Sequence, residues 1–170
     1  MVSVDESGSV MRELQEWVEN AAIENLKAHH ACADLVAKDA ATTLTVFLAA
    51  AGGGVAYAAK ALEQHSVTWL SAGAIVFTLW FLVLSVLLVW KCLMLRPLPS
   101  IYNEPKNLYQ PDHSLEALRA AEFKGMQRRI DEAAARNGNV VRWLNRLRLV
   151  AATCPVAFIV GAVAGWVAGG

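Results

Sequence analysis

The sequence has few of the residues, and none of the short motifs, that mark an enzyme. It holds only three cysteines, Cys32, Cys92 and Cys154, which lie far apart and fit no metal-ligand spacing. It has no nucleotide-binding glycine loop, no zinc-protease helix and no nucleophile elbow. We therefore expect neither catalysis nor a cofactor. We interpret the cysteines as reduced packing residues in a chain whose soluble parts are cytosolic.

One short stretch concentrates side chains of the metal-ligand type: His29, His30, Cys32 and Asp34. On a helix, His30 and Asp34 share one face, whereas His29 and Cys32 share another that points in a different direction. The pairs cannot then converge on one ion. We interpret the stretch as a polar helix face and expect no bound metal.

Charge is absent from Val67–Trp90, an uninterrupted apolar run. At about 1.5 Å per residue, a helix of this length reaches roughly 36 Å, which is enough to cross a hydrocarbon core of about 30 Å. Trp69 and Trp90 lie where aromatic side chains meet lipid headgroups, and His65 and Lys91 flank the run. The run predicts a transmembrane helix over residues 67–90.

Two further apolar runs, Ala40–Ala59 and Leu149–Gly170, are long enough to span a membrane, and Pro155 lies near the start of the second. Residues 60–66 form a short polar turn, predicted to be external, so residues 40–59 and 67–90 should form an antiparallel hairpin. We predict an all-α membrane protein with three transmembrane helices that assembles as an oligomeric bundle.

The run over residues 40–59 is rich in alanine, threonine and glycine, and its small residues fall on one side of a helix. Such a face allows close packing of backbones, or it lines a narrow path with hydroxyl groups at its cytosolic mouth. The sequence leaves both interpretations open. The pore-lining candidates are Thr42, Thr45, Ala49, Gly52, Gly53 and Ala56.

Small residues also repeat every four positions in the last apolar run. This spacing lets two membrane helices touch along their backbones, within one chain or between chains. The candidates for such helix packing are Ala157, Gly161, Gly165 and Gly169.

The N-terminal region is acidic and polar, which is unlike a secretory signal peptide. We predict disorder over residues 1–9 and an amphipathic cytosolic helix over residues 10–39. Its seam has alternating spacings of three and four, and Asn25 within it fits either a register device between identical helices or a weakly amphipathic surface helix. The seam that could join copies of the chain comprises Leu14, Val18, Ala21, Asn25, Ala28 and Leu35, with Cys32 at the same spacing.

Residues 91–148 form a basic segment made of a proline-rich connector, residues 97–111, and a helix that begins near Leu115. We expect this helix to continue into the third span, although Asn137-Gly138-Asn139 could kink it or form a turn between two helices. The whole segment 91–148 has a net charge of +5, against −5 for residues 1–39, and these opposite charges favour docking of one segment on the other.

Eleven of the fifteen basic residues lie in this segment, so the positive-inside rule places it in the cytosol. The N-terminus is then cytosolic and the C-terminus external, in a multi-pass protein of the bacterial inner membrane. The arginines of the helix fit either anionic-lipid contact or a phosphate-bearing ligand. They are Arg128, Arg129, Arg136, Arg142, Arg146 and Arg148.

The layout resembles the small transmembrane effectors of bacterial anti-phage nucleotide-signalling systems, of the Pycsar, CBASS and Hailong type. The resemblance covers residues 20–165 and is carried by HHACADLVAKDAATTL entering the first span, the tight hairpin, and QRRIDEAAARNGNVVRWLNRLRLV entering the last. It implies an inner-membrane homo-oligomer, expected to be a tetramer, that opens or damages the membrane. It also implies a nucleotide or oligonucleotide signal made by a partner nucleotidyltransferase.

Three hypotheses of function follow. The first is a gated, ion-conducting or membrane-permeabilising oligomer in anti-phage defence, embedded in the lipid bilayer. The second is a non-conducting scaffold or accessory subunit that anchors a cytosolic partner through the N-terminal seam. The third, a holin-like phage protein, is disfavoured by the long basic cytosolic segment.

Overall fold

The computed structural model describes residues 4–64, 68–94 and 97–169, with side chains described from residue 8 to residue 167 within these ranges. The start of the predicted disordered segment (residues 1–3), part of the predicted external turn (residues 65 and 66) and the ends of two predicted spans (residues 67 and 170) lie outside them. All regular structure in the described residues is helical, in agreement with the predicted class.

Helix α1 runs from Val4 to Glu63 without a break. Disorder was expected through Ser9, but the helix already includes residues 4–9, because extending an existing helix adds one hydrogen bond per residue without a new nucleus. The polar side chains at the start of its apolar part are satisfied locally. The hydroxyls of Thr42 and Thr43 donate to the carbonyls of Lys38 and Asp39 at 3.0 and 2.8 Å.

Helix α2 covers Trp69–Leu88 and continues as a π-helical turn over Val89–Leu93. Ser71 Oγ accepts a hydrogen bond from the Thr68 backbone N–H at 3.0 Å, which satisfies a donor at the start of the helix. At the other end, the Met94 N–H donates to the Val89 carbonyl at 2.8 Å, five residues back, as a π-turn requires. The short helix α3 covers Pro105–Leu108.

Helix α4, Leu115–Ala151, passes through Asn137-Gly138-Asn139 as one helix, so this motif does not form a turn between two helices. The Asn137 amide donates to the His29 carbonyl at 2.8 Å, and its side chain is buried. An asparagine breaks a helix when its side chain competes for nearby backbone groups. Here that side chain is bound to another segment instead.

Helix α5, Cys154–Gly169, is separate from α4, which corrects the prediction of one continuous helix into the third span. The two helices are bent by 42° at the break. Pro155 explains the position of the break, because proline has no N–H and its ring clashes with the carbonyl four residues earlier, at Ala151. The Thr153 hydroxyl donates to the Val150 carbonyl at 2.7 Å. The backbone N–H groups of Val156 and Ala157, at the start of α5, donate to the Thr153 carbonyl.

Two helices of the described residues are long and apolar enough to cross a membrane, and a third candidate appears if the bent α4–α5 pair counts as one span. The first candidate lies in α1, over Gly8–Glu63, and the second is Trp69–Leu93. The structure thus supports a helical membrane protein with two or three spans.

The chain divides into two compact units, and α1 and α4 contribute a part to each. The first unit comprises Met1–Asp34 and Arg96–Gly138, and its buried apolar side chains include Leu26, Met126 and Ala133. The second comprises Leu35–Leu95 and Asn139–Gly170. Its core draws on three helices and contains Ala40, Phe47, Ala51, Phe81, Leu84, Leu88, Leu144 and Leu147.

Candidate functional site

In the second unit, the small residues of α1 form an exposed face on the side away from the core. A Cβ atom added at Gly52 or Gly53 would meet nothing within 4 Å, whereas one added at Gly54 would run into the Thr78 hydroxyl of α2. The packing face of α1 within the chain is therefore the neighbouring side. All six pore-lining candidates are exposed, and we call them the small-residue face: Thr42, Thr45, Ala49, Gly52, Gly53 and Ala56.

The small-residue face carries no charge, and its polarity comes from two hydroxyls. Thr42 donates to the Lys38 carbonyl at 3.0 Å and Thr45 to the Ala41 carbonyl at 3.1 Å. Each hydroxyl oxygen keeps its lone pairs as acceptors while its proton is used by the helix. The face thus offers oxygen atoms to a cation or to water, and flat backbone to a neighbouring helix.

The predicted seam in the N-terminal part of α1 is also exposed. Leu14 and Leu35 leave 52% and 66% of their surface accessible, although large apolar side chains are usually buried. The packed side of this part of the helix is centred instead on Leu26, which is fully buried. Every residue named in the seam is exposed: Leu14, Val18, Ala21, Asn25, Ala28 and Leu35.

The seam extends beyond the predicted residues at both ends. Met11 lies three residues before Leu14 and is 58% exposed. Trp17, which precedes the seam residue Val18, is 68% exposed. The alternation of three and four also continues beyond Leu35 into the small-residue face. Exposed residues follow this heptad spacing at Met11, Leu14, Val18, Ala21, Asn25, Ala28, Cys32, Leu35, Asp39, Thr42, Val46, Ala49, Gly53 and Ala56.

The glycines of α5 are placed differently, because they pack against α2 within the chain. A Cβ atom added at Gly161 would lie 2.7 Å from Val76 Cβ, and one added at Gly165 would collide with Ala72. From the other side, a Cβ atom at Gly73 would lie 3.0 Å from the Phe158 carbonyl oxygen. Ala157 is half-buried, and the surroundings of Gly169 lie outside the described side chains.

The six candidate arginines are divided between the two units. In the first unit, Arg128 is exposed and lies 3.7 Å from Glu132, whereas Arg129 is 12% exposed and paired with Glu122. Arg136 is half-buried. The Nε atoms of Arg129 and Arg136 are buried without a hydrogen-bond partner in the described part of the chain.

In the second unit, Arg148 binds the start of the apolar part of α1. Its Nη2 atom donates to Asp39 Oδ1 at 2.5 Å and to Thr43 Oγ1 at 2.7 Å. The side chains of Arg142 and Arg146 are exposed. Arg148 therefore holds α4 against α1, while the other two arginines remain available to solvent, lipid or a ligand.

The first unit contains a cavity of about 780 Å³ between the proline-rich connector and α4. Its wall carries two cations, Lys124 and Arg128, and two carboxylates, Glu122 and Asp131. Of these side chains, the sequence predicted only Arg128 as a ligand candidate. Further polar groups line the cavity, three from the connector and one just after it: Asn103, Asn107, Gln110 and His113.

The histidine-rich stretch of α1 contacts the connector and α4. His30 Nε2 lies 3.0 Å from the Pro99 carbonyl oxygen, and the His29 carbonyl accepts from Asn137. Among the described residues, no three His, Cys, Asp or Glu side chains are grouped so that they could hold a metal ion. These contacts join the connector and α4 to α1 within the first unit.

No protein-family model, no curated protein and no solved structure matches this chain. The features of the chain that bear on function are two exposed faces of α1, a polar cavity in the first unit, and basic side chains divided between the two units.

Proposed function

We propose that this protein is an oligomeric membrane effector, a tetramer, that forms a gated ion-conducting or membrane-permeabilising assembly in bacterial anti-phage defence. One observation carries the proposal: the small-residue face of α1 is wholly exposed in the single chain, although its composition suits close contact with another helix or with a narrow path.

The composition of this face is hard to explain by lipid contact alone. Lipid tails favour no residue for its small size, whereas small residues let helix backbones approach closely. The packing of α1 within the chain uses another side, where Gly54 meets Thr78. Thr42 and Thr45 add acceptor oxygens at one end of the face, and a pore so lined could be closed by dewetting of its apolar remainder.

The heptad spacing supports assembly from copies of the same chain. Copies inserted with one topology are related by an axis along the membrane normal, so their α1 helices run parallel. Identical residues then meet across the axis. In the heptad that places Met11 at position a, Asn25 also falls at position a. A single asparagine at an a position fixes the register and the oligomer number.

The proposal includes three spans, with α5 completing the third, and both soluble segments in the cytosol as the positive-inside rule requires. It also includes a nucleotide or oligonucleotide signal from a partner nucleotidyltransferase. The cavity of the first unit supports such a ligand, since Lys124 and Arg128 can bind phosphate and the connector amides can bind a base.

The test is ion flux through liposomes that contain the purified full-length protein. We expect the wild type to conduct, and Gly53→Leu to lower the flux at least tenfold because it fills the small-residue face. Gly138→Leu is the matched control, since a Cβ atom added there also meets nothing within 4 Å. It should leave the flux unchanged.

Absence of flux from folded wild-type protein, alone and with cyclic dinucleotides or oligoadenylates added to either side, would contradict the proposal. Equal losses in Gly53→Leu and Gly138→Leu would show that the small-residue face has no special part in conduction.

A non-conducting scaffold is the second candidate, and the exposed apolar side chains Leu14 and Trp17 favour it. Apolar side chains in a helix seam suit a soluble partner helix as well as a second copy. A tagged full-length protein that recovers one soluble protein in equal stoichiometry, and loses it in Leu14→Gln, would support the scaffold in place of the conducting oligomer.

A further inference from the structure

A second basic site lies at the end of the Trp69–Leu93 candidate span, where α2 becomes a π-helical turn. The ammonium group of Lys91 lies 3.9 Å from the centre of the Trp90 ring and 5.1 Å from that of Trp143 on α4. Arg146, one helical turn beyond Trp143, places its guanidinium carbon 5.7 Å from the same Trp143 ring. Two cations are thus held beside one indole.

The π-helical turn accounts for this placement. It inserts an extra residue into the helix, and such turns are frequent at functional sites. The turn is fastened to α4, because Cys92 Sγ lies 3.9 Å from the Val140 carbonyl oxygen. Lys91 is consequently brought to α4 as part of the second unit, rather than extending freely from the end of a helix.

In the described part of the chain, no carboxylate lies within ion-pair distance of Lys91 or Arg146. Two carboxylates on or beside α4 pair with other cations, Asp39 with Arg148 and Glu122 with Arg129. Cation–π contacts orient the two groups but leave their charge uncompensated. An anion is the ligand that such a pair binds, and a phosphodiester matches both an ammonium and a guanidinium.

The surroundings of the two cations favour the phosphate of a lipid headgroup over a soluble phosphate. An apolar stripe runs along α2 to the site at the spacing of one helix face, with exposed side chains at Leu79, Val83, Val86 and Trp90. This stripe can receive an acyl chain while the headgroup lies at the two cations. Tryptophan at the end of a span is typical of the headgroup level. A soluble phosphate would make no use of the stripe.

We infer that Lys91, Trp143 and Arg146 form a binding site for one anionic phospholipid, whose acyl chain lies along the exposed stripe of α2. Basic pockets between membrane helices bind acidic headgroups in this way. The site is independent of the cavity in the first unit and of whether the protein conducts ions.

The test is native mass spectrometry of the full-length protein in detergent, with phosphatidylglycerol or phosphatidylcholine of identical acyl chains. We expect wild-type protein to retain phosphatidylglycerol in preference. Removing one charge in Arg146→Gln should reduce the preference about fivefold, the effect of one basic residue near an anionic surface. Lys91→Gln/Arg146→Gln should abolish it, whereas Lys91→Arg should keep it.

The matched control is Lys124→Gln/Arg128→Gln, which removes two charges from the first unit and should keep the preference. Arg146 is exposed, so its variant tests the site even if the double variant is unfolded. Equal loss in the control would overturn the inference in favour of diffuse charge. Absence of any preference in the wild type would overturn it directly. Displacement of phosphatidylglycerol by millimolar glycerol phosphate would assign the site to soluble phosphate instead of lipid.

Discussion

Helices α1 and α5 each carry several glycines within an apolar run of the second unit, and the surroundings of these glycines are opposite. On α5, Gly161 and Gly165 touch α2, so a methyl group at either position would have no room. On α1, Gly52 and Gly53 face open space, and Gly54, the next residue, is the one that packs. Glycine in an apolar helix thus allows close contact with another backbone, but only the fold shows which glycines make such a contact within the chain.

A glycine-to-alanine substitution on each helix, which adds a single methyl group, tests this difference between α1 and α5. Gly161→Ala should lower the stability of the folded protein by about 2 kcal/mol, because the new Cβ atom overlaps Val76 and overpacking costs about 1–3 kcal/mol. Gly52→Ala should raise it by about 0.5–1 kcal/mol, because the site is open and alanine is the better helix former. Thermal unfolding in detergent that keeps the chain monomeric measures both values.

Opposite signs in these two variants would establish that the two glycine faces differ in kind. Equal destabilisation would show that Gly52 already has a neighbour within the chain, and the α1 face would then be an ordinary packing face.

Adjacent threonines on α1 give a second, smaller contrast. Thr43 is buried and accepts hydrogen bonds from Arg148, whereas Thr42 is exposed on the small-residue face. Thr43→Val should cost about 1.5 kcal/mol, since it removes the acceptor of two hydrogen bonds from the Arg148 guanidinium. Thr42→Val should leave the unfolding temperature unchanged and alter ion flux instead.

Unfolding in detergent and flux in liposomes, measured on the same two valine variants, separate the roles. Loss of stability in Thr42→Val, or altered flux without loss of stability in Thr43→Val, would reverse the assignment of the two sides of α1.

The sequence predicts the helical class and the presence of helices long and apolar enough to cross a membrane, because apolar runs of this length have few other solutions. It does not predict which small residues pack within the chain, since α1 and α5 both place small residues on one side of a helix. The partner surface on α2 gives no separate signal either. Ala72, Gly73 and Val76 lie inside a run whose every position is apolar or small, so no periodicity marks the contact.

Two other features depend on contacts distant in the sequence. Asn137-Gly138-Asn139 stays helical because the Asn137 amide finds the His29 carbonyl, more than a hundred residues away. The Lys91 site requires a π-helical turn and the indole of Trp143, and neither can be read from a local pattern. Pro155, by contrast, is a local signal in the sequence, and the break between α4 and α5 follows from it.

The central claim is that the exposed heptad face of α1 is where copies of the chain meet, and disulfide cross-linking in native membranes tests it most directly. Cys32 lies on that face and is exposed, and Gly53→Cys adds a second site further along. With Cys92 and Cys154 replaced by serine, mild oxidation should link chains at position 32 and, with Cys32 also replaced, at position 53. Gly138→Cys in the cysteine-free background should stay uncross-linked. Cross-linking at position 138 equal to that at 32 and 53, or none at either α1 position, would contradict the claim.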